Sequence, residues 1–133
     1  MTYRRMTYRY TRVRIAPTWP LADAWEREQR RFLLHARWRP DADIYETSAS
    51  IEMIVDLAGI DEDDIEVQLF DNAVVIEGRR QLPSGGPDAV YHAAAIRQGL
   101  FRVELPLPAA VDPERCEARY DRGLLHVTLP KPA

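Results

Sequence analysis

The feature that most constrains the fold is the last third of the chain, residues 99–131, where short apolar runs are separated by prolines and tight turns. The segment Cys116–Tyr120 alternates in polarity, which is the two-residue period of a strand buried on one face. Asp121-Arg122-Gly123 follows as a turn of hairpin length, because glycine adopts a positive φ without strain. Leu124–Leu129 is the returning strand and ends at Pro130. These features predict an antiparallel β-hairpin.

The preceding residues repeat this pattern of strands and turns. Segments at 42–46, 50–57, 65–69 and 73–79 have strand character, and apolar residues occupy alternate positions in the second and third of them. The last two segments flank a short polar turn, so they also form a hairpin. Consecutive hairpins with a two-residue period predict an antiparallel β-sandwich and argue against a doubly wound parallel sheet.

Four blocks of sequence occur in a fixed order within residues 40–131. The blocks are DLAGI at 56–60 with DIEV at 64–67, VVIEGRR at 74–80, GLF at 99–101 with LP at 107–108, and ARYDRGLL at 118–125 with LPK at 129–131. A single G-x-L triplet carries no information, but four ordered blocks do. Together they resemble the small heat-shock proteins, the α-crystallin family.

The resemblance implies an all-β fold, the immunoglobulin-like antiparallel β-sandwich of the α-crystallin domain, over residues 40–131. A basic, partly helical arm at residues 1–39 precedes it, and a truncated tail at residues 132–133 follows. The resemblance also implies an ATP-independent holdase chaperone that binds non-native client proteins, prevents their aggregation and works as a dimer-based oligomer. It implies no cofactor.

Residues 91–96 (YHAAAI) have the pattern of a weak strand after a Gly- and Pro-rich loop at 82–89. In bacterial and plant members of the resembled family, a strand at this position crosses to the partner and builds the homodimer. Because most of its side chains are alanines, an exchanged strand here would depend mainly on backbone pairing. The resemblance assigns the dimer strand to Tyr91, His92, Ala93, Ala94, Ala95 and Ile96.

The family usually carries a C-terminal I-x-I motif that docks in a groove of a neighbouring subunit. This chain stops at Pro132-Ala133, so we expect no such tail. Val13-Arg14-Ile15 has β-branched residues at alternate positions, which an extended segment points to one face. We hypothesise that Val13 and Ile15 dock in the groove between residues 65–70 and 116–120. The groove would be lined by Val67, Leu69, Ala118 and Tyr120.

The arm differs from the sandwich in charge and aromatic content. Residues 1–39 hold ten arginines and three acidic residues, a net charge of +7, whereas residues 40–133 have a net charge of −10. A short helix is predicted from Pro20 to about His35, with an apolar side that either packs on its own domain or binds non-native chains and sister subunits. The predicted client-binding residues are Trp19, Leu21, Trp25, Phe32 and Leu33.

Catalytic and metal-binding patterns are missing from the sequence, so we expect neither an enzyme nor a metal site. His35, His92 and His126 lack ligand spacing, and Cys116 is the single cysteine. The acidic turn at 61–64 lacks the glycine and terminal glutamate of a calcium loop. No apolar run approaches the ~18 residues of a membrane span. We expect a cytoplasmic protein.

Two other classes of function stay open. The same sandwich serves as a non-holdase interaction module in co-chaperone-like adaptors. The Arg- and Tyr-rich arm also suits a membrane-surface or nucleic-acid binder, since bases stack on aromatic rings. The near-repeat MTYRR-MTYRY leaves open whether translation starts at Met1 or Met6.

The sequence departs from the family pattern at two further places. Ala58 stands where a proline usually precedes Gly59, which should loosen that turn. The family's common strand arginine falls on Val103, and Arg102 lies one residue earlier. Because neighbouring residues of a strand face opposite ways, a family salt bridge built on that arginine is not expected here.

Overall fold

The computed structural model describes residues 4–5, 13–15 and 37–133, and this part of the chain folds into nine strands with two short 3₁₀ turns. The strands are β1 (Arg4–Arg5), β2 (Val13–Ile15), β3 (Ala42–Glu46), β4 (Ser50–Asp56), β5 (Ile65–Leu69), β6 (Ala73–Arg80), β7 (Gly99–Pro106), β8 (Glu117–Asp121) and β9 (Leu124–Pro130). The 3₁₀ turns are Glu62–Asp64 and Pro113–Arg115.

The strands form two sheets. One sheet has five strands in the order β1-β8-β9-β4-β3, and the other has four in the order β2-β5-β6-β7. Every pairing of named strands is antiparallel except that of β2 with β5. The predicted all-β sandwich is therefore confirmed.

The core follows directly from the alternation in the sequence. On β4, Ile51, Met53 and Val55 are fully buried, and each lies opposite a buried residue of β9. On β7, Val103 is buried in the core cluster, so the neighbouring Arg102 points to the outer face. Since each fully buried aliphatic side chain contributes about 1.5–3 kcal/mol, this two-sided apolar layer holds the sheets together.

The final hairpin has the geometry that its sequence predicts. The turn residues Arg122 and Gly123 both have positive φ, 55° and 81°, which matches the right-handed twist of the flanking strands. A Cβ atom on Gly123 would lie 2.9 Å from the Cα atom of Ala58, so the turn also packs against the segment after β4. The hairpin therefore fixes the neighbouring chain at residues 57–58.

The long loop 81–98 contains the segment that was predicted to exchange between subunits. We predicted a weak strand at residues 91–96, but within the single chain loop 81–98 contains no strand. A strand needs a neighbouring strand to pair with, and among the described residues no strand pairs with this loop. Val90, Tyr91 and Ile96 are 77%, 64% and 67% exposed. The exchange of this segment between subunits stays a prediction.

Trp38 also lies in a place that the sequence did not indicate. We assigned it to the arm, whereas in the structure its backbone forms a parallel β-bridge with Phe101 on β7. Its N–H donates to the carbonyl of Leu100 and its carbonyl accepts from the N–H of Arg102, both at 3.1 Å. Its ring centroid lies 5.4 Å from that of Phe101. Trp38 is thus part of the packed sandwich.

Candidate functional site

The predicted groove residues lie on β5 and β8, which belong to different sheets. Val67, Leu69 and Ala118 are at most 4% exposed and belong to the single main core cluster. Tyr120 is half-buried and packs against that cluster. The alternation of the two strands therefore points all four side chains toward shared apolar packing.

Tyr120 is held by a specific polar contact. Its hydroxyl donates to the carbonyl of Leu57 at 2.6 Å, across 63 positions of sequence. Burial raises the pKa of Tyr120, so the phenol stays protonated and can donate at neutral pH. The contact joins β8 to the chain that leaves β4.

Two strands of the arm extend the outer edges of these sheets. Val13–Ile15 runs parallel to β5, with Val13 opposite Val67 and Ile15 opposite Leu69. Arg4–Arg5 pairs antiparallel with β8, with Arg4 opposite Tyr120. In both places an extended segment adds to a sheet edge through its backbone, which is a common way to recognise peptides. The docking role of Val13 and Ile15 stays a prediction.

Strand β3 forms the other edge of the five-stranded sheet. It pairs with β4 on one side, and in the described part of the chain no strand pairs with its other side. Tyr45 in this strand is 51% exposed. An exposed edge with an exposed aromatic ring is a surface suited to backbone pairing.

The outer face of the four-stranded sheet carries a charged cluster. Nη1 of Arg37 lies 2.8 Å from a carboxylate oxygen of Glu77, and Arg102 contacts both Glu77 and Glu104. The four side chains are only 6–17% exposed. Arg102 on β7 therefore pairs with carboxylates of its own sheet.

Phe70 and Val75 form a buried contact that the alternating pattern of the sequence did not predict. Phe70 and Val75 form a hydrophobic cluster separate from the main core, with Val75 fully buried. Val75 lies between two core-facing residues of β6, so it points to the outer face of the sheet. The unbroken apolar run at 73–76, instead of strict alternation, is the signal that both faces of this strand are covered.

The predicted client-binding residues lie outside the described part of the chain, and their role stays a prediction. They are Trp19, Leu21, Trp25, Phe32 and Leu33.

The surroundings of Cys116 and His126 shift the pKa values of both side chains. Cys116 is 2% exposed and its Sγ donates to the carbonyl of Asp112 at 3.2 Å. Burial raises the pKa of Cys116 to about 11, so the thiol is a weak nucleophile at neutral pH. Burial and the facing Arg119 lower the pKa of His126.

Neither a metal cluster nor a membrane-spanning helix is found among the described residues. Residues 4–5, 13–15 and 37–133 hold no group of three or more His, Cys, Asp or Glu side chains arranged to bind a metal ion. The same ranges contain no helix long and apolar enough to cross a membrane.

The site consists of sheet edges and an exposed loop on a largely antiparallel β-sandwich. The Hsp20/alpha crystallin family model matches residues 43–133, and the chain belongs to this family. This finding confirms the resemblance drawn from the four sequence blocks.

Relatives and solved structures are consistent with this assignment. The chain is 32% identical over 92 residues to small heat shock protein C2 of Rickettsia felis, covering 69% of this chain and 60% of the relative. Heat shock protein 16.0 from Schizosaccharomyces pombe superposes with a TM-score of 0.66 at 28% identity, over 71% of this chain and 88% of that one. A small heat-shock protein from Xylella fastidiosa gives a TM-score of 0.65 at 33% identity, over 74% and 90%. The chain therefore spans less than two thirds of the first relative's length.

Proposed function

We propose that this protein is an ATP-independent holdase chaperone that binds non-native proteins and prevents their aggregation. The observation that carries the proposal is the pairing of two extended arm segments with the edges of β5 and β8, directly beside buried apolar side chains. An edge that accepts one extended segment by backbone pairing can accept another of similar pattern.

The physical basis is the competition for exposed apolar surface. Unfolding clients expose apolar side chains and unpaired strands, which associate with each other unless something covers them first. A sheet edge with apolar side chains beside it satisfies both kinds of exposed group. The net charge of −10 over residues 40–133 would keep a chaperone–client complex soluble. Family membership supports the same function, and this activity needs no cofactor.

We also propose a homodimer formed by strand exchange, in which residues 91–96 of one subunit pair with β3 of the other. The exposed Tyr45 on β3 and the exposed Tyr91 and Ile96 in the loop support this arrangement. The small heat-shock protein from Xylella fastidiosa is described as having a distinct high order structure, which supports further assembly of such dimers. The proposed location is the cytoplasm.

The first test measures chaperone activity and assembly together. Light scattering should show that the purified chain suppresses aggregation of a heat-denatured client without ATP, near stoichiometric amounts. Native mass should exceed that of a dimer. Replacing Val13 and Ile15 with serine should lower this mass, because the apolar docking side chains are lost. The control is Arg14→Gln, which changes the opposite face of the same segment.

Other outcomes point to the alternative functions. An unchanged mass for the Val13→Ser/Ile15→Ser variant would contradict the docking role. A monomer inert toward aggregating clients would favour a co-chaperone-like adaptor. Salt-sensitive binding to vesicles or nucleic acid that disappears when residues 1–18 are deleted would favour the membrane-surface or nucleic-acid binder.

A further inference from the structure

Arg80, the last residue of β6, makes a set of contacts that connects the two ends of loop 81–98. Its Nε and Nη2 atoms both donate to the carbonyl oxygen of Arg97, at 2.9 and 2.6 Å. Arg97 directly follows Ile96, the last residue of the predicted dimer strand. One side chain at the start of the loop therefore fixes the backbone at its end.

The same guanidinium group is fixed to the sandwich on two further sides. Its Nη1 atom donates to the carbonyl of Ala58 at 3.3 Å. Its Cζ atom lies 4.2 Å from the ring centroid of Trp38, which is a cation–π distance. Trp38 in turn donates from its indole nitrogen to the carbonyl of Gly99 at 3.2 Å. Arg80 thus has little freedom to move without moving the loop.

Open space lies between the loop and the sandwich beside this contact. A cavity of about 340 Å³ lies beside the contact, between residues 95–97 of the loop and Trp38, Asp56 and Arg80 of the sandwich. The large apolar side chains Val90, Tyr91 and Ile96 remain exposed. The contact of Arg80 with Arg97 therefore fixes the backbone directly after the segment 91–96.

We propose that Arg80 is the positioning residue of the dimer strand: its fork of donors holds Arg97 so that residues 91–96 project toward the partner in a defined direction. This inference rests on the proposed homodimer. Positioning lowers the conformational entropy that the loop loses when its strand pairs with a partner, so it strengthens association without adding a contact between subunits.

The chemistry of this contact requires arginine. The planar guanidinium presents several donors in a fixed geometry and also stacks on an aromatic ring. A lysine keeps the charge but has a single nitrogen in place of the planar guanidinium. It therefore cannot donate two hydrogen bonds to the Arg97 carbonyl while it also donates to the Ala58 carbonyl and stacks on Trp38. Arg80→Lys therefore removes the geometry and retains the charge.

The test compares Arg80→Lys with Arg79→Lys in the full chain. Arg79 is the adjacent residue of β6, points to the other face and is exposed, so it is a matched control for the same chemical change. The dimer dissociation constant is measured by sedimentation equilibrium. Hydrogen exchange of the backbone amides in residues 88–98 reports the order of the loop, and near-UV circular dichroism verifies that the sandwich is folded.

We expect Arg80→Lys to raise the dimer dissociation constant about tenfold, the equivalent of about 1.4 kcal/mol, and to speed amide exchange in the loop. Arg79→Lys should leave both quantities unchanged. A dimeric wild type whose dissociation constant is unaffected by Arg80→Lys contradicts the role of Arg80 alone. A monomeric wild type contradicts the homodimer and the role of Arg80 with it.

If Arg80→Lys does not fold, Trp38→Phe provides the second variant. It keeps an aromatic ring under the guanidinium but loses the indole bond to Gly99, which holds that ring in place. A raised dissociation constant in this variant, with a folded sandwich, supports the proposal, and an unchanged constant opposes it.

Discussion

Gly78 on β6 lies where the sandwich has no room for a side chain. It pairs with Ile65 on one side and with Phe101 on the other. A Cβ atom there would lie 2.0 Å from the carbonyl oxygen of Asp64 and 2.6 Å from Cζ of Phe101. Real Cβ atoms essentially never approach other heavy atoms closer than 3.0 Å. Gly78→Ala must therefore displace a backbone carbonyl by about 1 Å and also push the ring of Phe101.

The cost of this displacement follows from its surroundings. Phe101 is fully buried, so its ring has no empty space to enter. Forcing one extra methyl group into a packed core usually costs about 1–3 kcal/mol. Alanine has less conformational freedom than glycine in the unfolded chain, which offsets this cost by about 0.4–1 kcal/mol. Because the closer clash involves backbone, we expect a net loss of about 2 kcal/mol in the free energy of unfolding.

The assay is equilibrium urea unfolding at fixed subunit concentration, since assembly makes apparent stability depend on concentration. The control is Gly59→Ala, which introduces the same methyl group with nothing within 4 Å but at a φ of +74°. That backbone conformation costs alanine about 1 kcal/mol. A Gly78→Ala variant that is no less stable than Gly59→Ala would refute the packing argument.

Three further predictions concern Tyr120 on β8, Cys116 directly before β8 and His126 on β9. Tyr120→Phe should lower the free energy of unfolding by about 1–2 kcal/mol, because it leaves the carbonyl of Leu57 without its 2.6 Å donor; urea unfolding measures this, and an unchanged unfolding midpoint would contradict the role of the hydroxyl. Cys116, with its buried thiol and its pKa raised to about 11, should react with a disulfide reagent at pH 8 no faster than the protein unfolds; rapid labelling of the folded chain would contradict the packing of this residue. Because the pKa of His126 is lowered in the folded state, the unfolded state binds a proton at this imidazole more readily. The free energy of unfolding should therefore fall as the pH decreases from 6.5 toward the lower pKa of the folded state, and it should not depend on this group at higher pH. His126→Gln should weaken this dependence in urea midpoints measured from pH 7.5 to pH 5.

The alternating strands were predictable because their pattern is local. In β4, each apolar residue lies two positions from the next and faces the core, so the period alone identifies the buried face. The turn at Arg122-Gly123 was predictable for the same reason, since its residues by themselves favour positive φ.

The contacts that depend on distant residues were not predictable. Trp38 meets Phe101 across more than sixty positions, and nothing near Trp38 in the sequence indicates that partner. The fork of Arg80 joins two ends of a loop whose path is not encoded by any periodic pattern. Residues 91–96 have strand propensity, but a strand forms only where a partner backbone is present. These are long-range effects that override local preference.

The parallel pairing of β2 with β5 and the antiparallel pairing of β1 with β8 have a consequence for the protein's own solubility. A chaperone that binds unpaired, apolar strands through its sheet edges must keep those edges accessible. An uncovered edge, however, is also a template for amyloid-like growth between copies of the protein. Here, short pieces of the same chain cover two of these edges with only two or three residues each. If the proposed function holds, ladders this short would be displaced by a client strand and would still interrupt edge-to-edge growth while they are in place. On the proposed function, these two short strands would cover the binding edges of the protein until a client strand takes their place.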